Sequence, residues 1–228
     1  GKPTEADIQQ SRELLDQALE ERPNLLSAYY ALAAVYRVQS NLTDSASQFE
    51  KIVKLQPKQV APRMLLGITY EGMGNTKGAM EQYSQILKLE PRFAPAANNL
   101  AWLLAESGGD LNEALRLAKI AKEELPRESS VTDTLGWVYF KQGSFQAALP
   151  VITEAVALEK AASPDQLNPE ILFHLGAVKQ RLGDKEGASA AFEQALSASG
   201  NSDSLRSRIE AVKNEATEER SNVTPANS

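Results

Sequence analysis

"ILKLEP", residues 86–91, ends on a proline that the chain repeats at a fixed interval. "ALEERP" (18–23), "IVKLQP" (52–57) and "AKEELP" (121–126) close similar apolar runs. Pro23, Pro57 and Pro91 stand 34 residues apart, and Pro126 follows after 35. A period of that length marks stacked supersecondary units. Leu32, Leu66, Leu100 and Leu135 keep the same step, with Leu175 coming 40 residues later. A small residue follows each: Ala33, Gly67, Ala101, Gly136 and Gly176.

Working outward, each unit reads as two helices. In "EALRLAKIAKEEL" (113–125), Ala114, Leu115, Leu117, Ala118 and Ala121 recur at helical spacing, not in the alternation of a strand. Between the two helices lie "SNLT", "MGNT", "GGDL", "QGSF" and "LGDK". Gly74, Gly109, Gly143 and Gly183 are expected to take the left-handed position that ends a helix. Asn75, Asp110, Ser144 and Asp184 are expected to cap the next one. "SGGD" (107–110) explains the one-residue stretch of the period, and "SPDQLN" (163–168) the larger insertion. Pro150 falls inside a second helix and should bend it. Lys179 stands where Tyr36, Tyr70 and Tyr139 stand in other units, so the last hairpin is expected to be looser there.

These residues resemble the tetratricopeptide repeat (TPR) family, a helical-hairpin repeat of 34 residues, over about residues 8–200. The resemblance implies an all-α fold: an α-solenoid of TPR hairpins wound as a right-handed superhelix, with a C-terminal capping helix. Read as one TPR domain over 1–228, the chain has full repeats at 26–59, 60–93, 94–128, 129–162 and 169–202. Residues 8–23 match only the second helix of a unit, as in a piece of a longer array. Residues 203–220 read as the capping helix that hides the last apolar face, and 221–228 as a disordered tail.

Composition narrows the function. The 228 residues are 42% hydrophobic and 24% charged, with a formal net charge of −6 and no cysteine. No basic block is present to neutralise phosphates, which argues against nucleic acid. No run of about 18 apolar residues occurs to insert in a membrane. His174 is the only histidine, and with no cysteine beside it a metal site is not expected; no cofactor is implied. No nucleophile is implied near it either, so the chain reads as not an enzyme.

The family resemblance also implies where a partner would bind. In TPR arrays the second, fifth, sixth, ninth, twelfth and thirteenth residues of the first helix face a concave groove. Trp102 and Trp137, the two tryptophans, occupy the ninth position; with Leu100 and Leu104 pointing to the core, Trp102 lies about 200° from each on a helical wheel. The groove set is then Tyr30, Arg37, Met64, Ile68, Glu71, Asn98, Asn99, Trp102, Glu106, Asp133, Trp137, Phe140, Lys141, Phe173, His174 and Arg181. The tryptophans are expected to keep solvent exposure; the competing reading folds them onto neighbouring first helices as packing. Asn98 and Asn99 could clamp a peptide backbone, since each amide offers donors and an acceptor. The Lys and Asn of the chaperone-tail clamp are replaced by Tyr30 and Ala34, so an acidic C-terminal tail is not the expected ligand.

The function so implied is a non-enzymatic scaffold that binds a protein or peptide segment in its groove. Two alternatives stay open: a self-associating assembly module, a homodimer among its forms, and a TPR region of a larger envelope, exopolysaccharide-export or glycosyltransferase protein. "NNLAWLLAESGGDLNEALRLAK" resembles bacterial TPR proteins of the envelope, which implies a bacterial source and favours the periplasm over the cytoplasm.

Overall fold

The computed structural model of the chain describes residues 4–223. Among the described residues there are twelve helices and no strand. The chain divides into two compact units at the Ala96–Ala97 bond.

The first unit holds α1 (Glu5–Glu21), α2 (Leu26–Val38), α3 (Leu42–Leu55), α4 (Val60–Gly72) and α5 (Thr76–Leu89). Helices α2 and α3 form one hairpin, α4 and α5 the next, and α1 packs on α2. The hairpins close on small residues. A Cβ on Gly67 would lie 2.6 Å from the Tyr83 ring, and the Ser45 hydroxyl donates to the Ala33 carbonyl at 3.0 Å. Phe49, Ile52 and Leu66 form the core with Ala33 and Ala46.

The second unit contains all but the first turn of α6 (Ala94–Glu106), then α7 (Leu111–Glu124), α8 (Ser129–Lys141), α9 (Phe145–Ala162), α10 (Pro169–Leu182), α11 (Lys185–Ala198) and α12 (Asp203–Val223). A Cβ on Gly136 would overlap Ile152 of α9, and one on Gly176 would meet the Phe192 ring of α11. Helix α12 buries Leu205 and Ile209 and packs on α10 and α11.

Several local expectations change. The left-handed glycine after α6 is Gly108 at φ +70°, not Gly109. Gly74, Gly108 and Gly143 are each the second residue past their helix, so the helix end sets the position. Gly109 is the inserted residue and folds against Leu104. Asn75, Asp110 and Asp184 cap as expected, and Asn41 does so too, but Ser144 makes no side-chain cap. Helix α9 runs on past Pro150 to Ala162. Lys179 lies over Gly187 as the Tyr70 ring lies over Gly78, and its amine stands 3.5 Å from the Asp184 carboxylate. The lysine thus fills the place of the missing tyrosine. Residues 221–223, expected in a disordered tail, belong to α12; 224–228 lie outside the described residues.

Candidate functional site

The inner face of the second unit is built around Trp137. This side chain is only 5% exposed, against the expectation that it lines an open groove. Its indole is stacked between two rings: His174 at 3.9 Å and Phe140 at 4.5 Å between centroids. The indole N–H donates to the Glu106 carboxylate at 2.7 Å. Lys141 pairs with the same carboxylate at 2.9 Å, and its amine lies 5.2 Å from the Trp137 ring centre. Burial pushes the Glu106 carboxyl up; the Trp137 N–H and the Lys141 ammonium outweigh it and hold the carboxyl below the usual glutamate range.

His174 is fully buried one hairpin further on, in α10. Its Nδ1 lies 2.8 and 3.0 Å from the two oxygens of Asp133. A carboxylate only accepts, so Nδ1 carries the proton and donates. Nε2 is buried without a hydrogen-bond partner. The pair orients an imidazole as a general base would be oriented, but the ring atom that would act is sealed from solvent. Trp102 reaches from α6 past α8 to lie 5.7 Å from the His174 ring, and it remains half-buried.

Asp133, Trp137, Phe173 and His174 are therefore corrected from groove lining to packed seam. In α8 and α10 the fifth, sixth and ninth residues are buried, and Asp133 and Trp137 of α8 are covered by His174 of α10. The periodicity gives their angle correctly; it does not say that a long side chain leans onto its neighbour. Glu106 and Lys141 are exposed, and Phe140 and Arg181 are half-buried, with the Arg181 guanidinium 4.6 Å from the centre of the Phe145 ring. Asn98 and Asn99 are half-buried; the Asn98 amide donates weakly to Asn99 at 3.4 Å, and the Asn98 carbonyl oxygen is buried without a partner.

The inner face of the first unit is different. Ile68 is 44% exposed, and Ala34, at the same ninth position, is exposed as well. Arg37 is exposed. Tyr30 is half-buried with its edge on Phe49, at 6.3 Å between centroids. Met64 is half-buried, as is Glu71, which accepts a short hydrogen bond from the Tyr83 hydroxyl.

The hairpins, their small-residue contacts and the 34-residue step now meet the family comparison. The tetratricopeptide repeat model matches residues 5–60, 64–129 and 134–204. The chain belongs to the tetratricopeptide repeat family. No curated protein matches it. Among solved structures, MamA from Desulfovibrio magneticus RS-1 superposes with a TM-score of 0.65 at 17% identity, covering 78% of this chain and 97% of that one. TTC0263, a thermophilic TPR protein of Thermus thermophilus, gives 0.63 at 22% identity over 82% of this chain and 98% of that one. The APC/C hetero-tetramer Cut9–Hcn1 gives 0.72 at 16% identity over 92% of this chain and 40% of that one. At these identities the likeness is one of fold. No group of three or more metal-ligating side chains, and no helix long and apolar enough to cross a membrane, occurs among the described residues of this TPR chain.

Proposed function

We propose that this TPR chain is a non-enzymatic scaffold whose first unit binds a protein or peptide segment on its inner face. The observation that carries the reading is Ile68, a large aliphatic side chain 44% exposed at the position where the second unit buries Trp137. Exposed apolar surface beside polar groups is what a partner segment covers. Tyr30 and Met64 supply half-buried contact area beside it, and Arg37 supplies charge. TPR hairpins are rigid, so little order is lost on binding. In the second unit the same register is occupied by the chain's own rings, which leaves Glu106, Lys141, and the half-buried Phe140 and Trp102 as its surface.

A peptide library selected on the intact chain tests this. Selected peptides should bind Ile68→Glu at least tenfold more weakly, while Lys141→Glu changes their affinity little. Equal affinity for Ile68→Glu and the original chain would remove the inner face of the first unit as the site.

A further inference from the structure

Two second helices of the first unit end on a pair of residues that the fold does not require. Helix α3 closes on Lys54 and Leu55, and α5 closes on Lys88 and Leu89 one 34-residue step later. At the same distance from the loop proline, α1 carries Glu20 and Glu21, and α7 carries Glu123 and Glu124. A cation suits the negative end of a helix, yet α1 and α7 form with carboxylates there. Nor is a leucine needed at the second position. Leu55 is 40% exposed and Leu89 41%. Both hairpins are complete, each with its two helices and the loop that follows.

The loops add charge to this edge. Lys58 follows Pro57 and Arg92 follows Pro91, and all four residues are exposed. Among the described residues no ion pair reaches Lys54, Lys58 or Lys88. Arg63 of α4 fixes the first loop. Its guanidinium donates to the Pro57 carbonyl at 3.0 and 3.2 Å, and to the side-chain oxygen of Gln82 in α5 at 3.2 Å. Lys58 is thereby carried on a loop tied to both helices of the following hairpin. From Arg22 to Ala96, nine lysines and arginines stand against five carboxylates, in a protein whose net charge is −6. The sign of the whole chain is reversed over these two hairpins.

We infer that this edge of the first unit docks an acidic amphipathic segment of a partner protein, with large apolar side chains set between its carboxylates. Lys54, Lys58 and Lys88 call for carboxylates by charge. Leu55 and Leu89 call for apolar side chains, which a bare polyanion lacks. Apolar contact within a charged rim is the usual anatomy of a protein interface. Glu90 is exposed beside Leu89 and repels an unbroken acidic run, so the partner's carboxylates are spaced. The fixed loop lowers the cost of ordering on binding. Second helices and loops make this edge and first helices make the inner face, so the two readings stand independently.

The probe is a labelled helical peptide of glutamates with a leucine at every third or fourth position, read by fluorescence anisotropy on the intact chain. Binding should fall about tenfold when Lys54→Glu and Lys88→Glu are combined, and about tenfold when Leu55→Ser and Leu89→Ser are combined. All four positions are exposed, so the melting curve should not move. Added salt should weaken binding. Lys119→Glu, a reversal at an exposed lysine of α7, should leave it unchanged. No binding, or an equal loss with Lys119→Glu, overturns the inference. Equal affinity for a peptide with serines in place of its leucines overturns it too, because the edge would then hold any polyanion. Phosphatidylglycerol vesicles that bind the chain and displace the probe assign the edge to a membrane. A dimer in light scattering that Lys54→Glu dissolves assigns it to a second copy; either result overturns the inference. Ile68→Glu separates the two readings: loss of the library peptides with no edge dependence of the probe sinks only this one, and the reverse sinks only the inner face.

Discussion

The two units share one register and fill it differently. At the ninth residue of the first helix, the first unit has Ala34 and Ile68 and the second has Trp102 and Trp137. At the sixth residue, α10 supplies His174, whose ring meets both indoles. One inner face is left open with small and aliphatic side chains, and the other is closed by stacked rings and a carboxylate–imidazole pair. A shared register therefore does not decide whether such a face is open; here the size and hydrogen-bonding reach of the side chains at two positions per hairpin separate the two units.

The largest effect that tests this contrast is Trp137→Ala. Emptying the stack should cost about 3–5 kcal/mol, read from the urea denaturation midpoint, whereas Ile68→Ala should cost less than about 1 kcal/mol. Similar losses at both sites would erase the distinction. Next comes Gly136→Leu, which drives a side chain into Ile152 and should cost on the order of 1–3 kcal/mol. An unchanged melting temperature would refute the close approach of α8 and α9 at that point.

The pH dependence should also differ between units. The folded Glu106 carboxyl lies below its unfolded range, so its stabilisation is present above that range and is lost as pH falls through the folded value. Tyr70 runs the other way: burial, then its hydrogen bond to Glu50 (2.7 Å), push it up to about 12. Its contribution is present below about pH 10, the unfolded tyrosine value, and is lost as pH rises from there towards 12. Glu106→Gln should flatten the acid limb of a stability–pH curve and Tyr70→Phe the alkaline limb; a variant that leaves its limb unchanged breaks that assignment.

The smallest effect compares two caps. Asn75 accepts from the Gly78 N–H at 3.0 Å, and Asn75→Ala should cost about 1 kcal/mol. Ser144 makes no such bond, so Ser144→Ala should leave the midpoint within error.

Much of the fold was legible because it is written in spacing. Leu26, Val60, Ala94, Ser129 and Pro169 open units in the sequence and open α2, α4, α6, α8 and α10 in the structure. Gly67, Gly136 and Gly176 announced the close helix pairs before any ring was placed. The inner face was less legible because a helical wheel gives direction and not depth. Trp137 points where its position says, yet a first helix beside it covers that side. A signal was available: Asp133 and His174 sit at the fifth and sixth positions of consecutive first helices, an acceptor beside a donor, and Glu106 sits one hairpin before an indole N–H. Such pairs between neighbouring hairpins of the second unit indicate a closed seam; in the first unit the ninth positions hold Ala34 and Ile68, whose side chains carry no hydrogen-bonding group.

The contact from Trp102 to His174 skips a hairpin, since α8 lies between α6 and α10 in the chain. Stacked repeats usually unfold as a one-dimensional chain of nearest neighbours, in which an end can fray one hairpin at a time. A ring that reaches two hairpins along couples three of them directly. Hairpins α6–α7, α8–α9 and α10–α11 are thereby bound into one cooperative block. Hydrogen exchange should find their amides opening together, while the hairpins ahead of them open piecemeal.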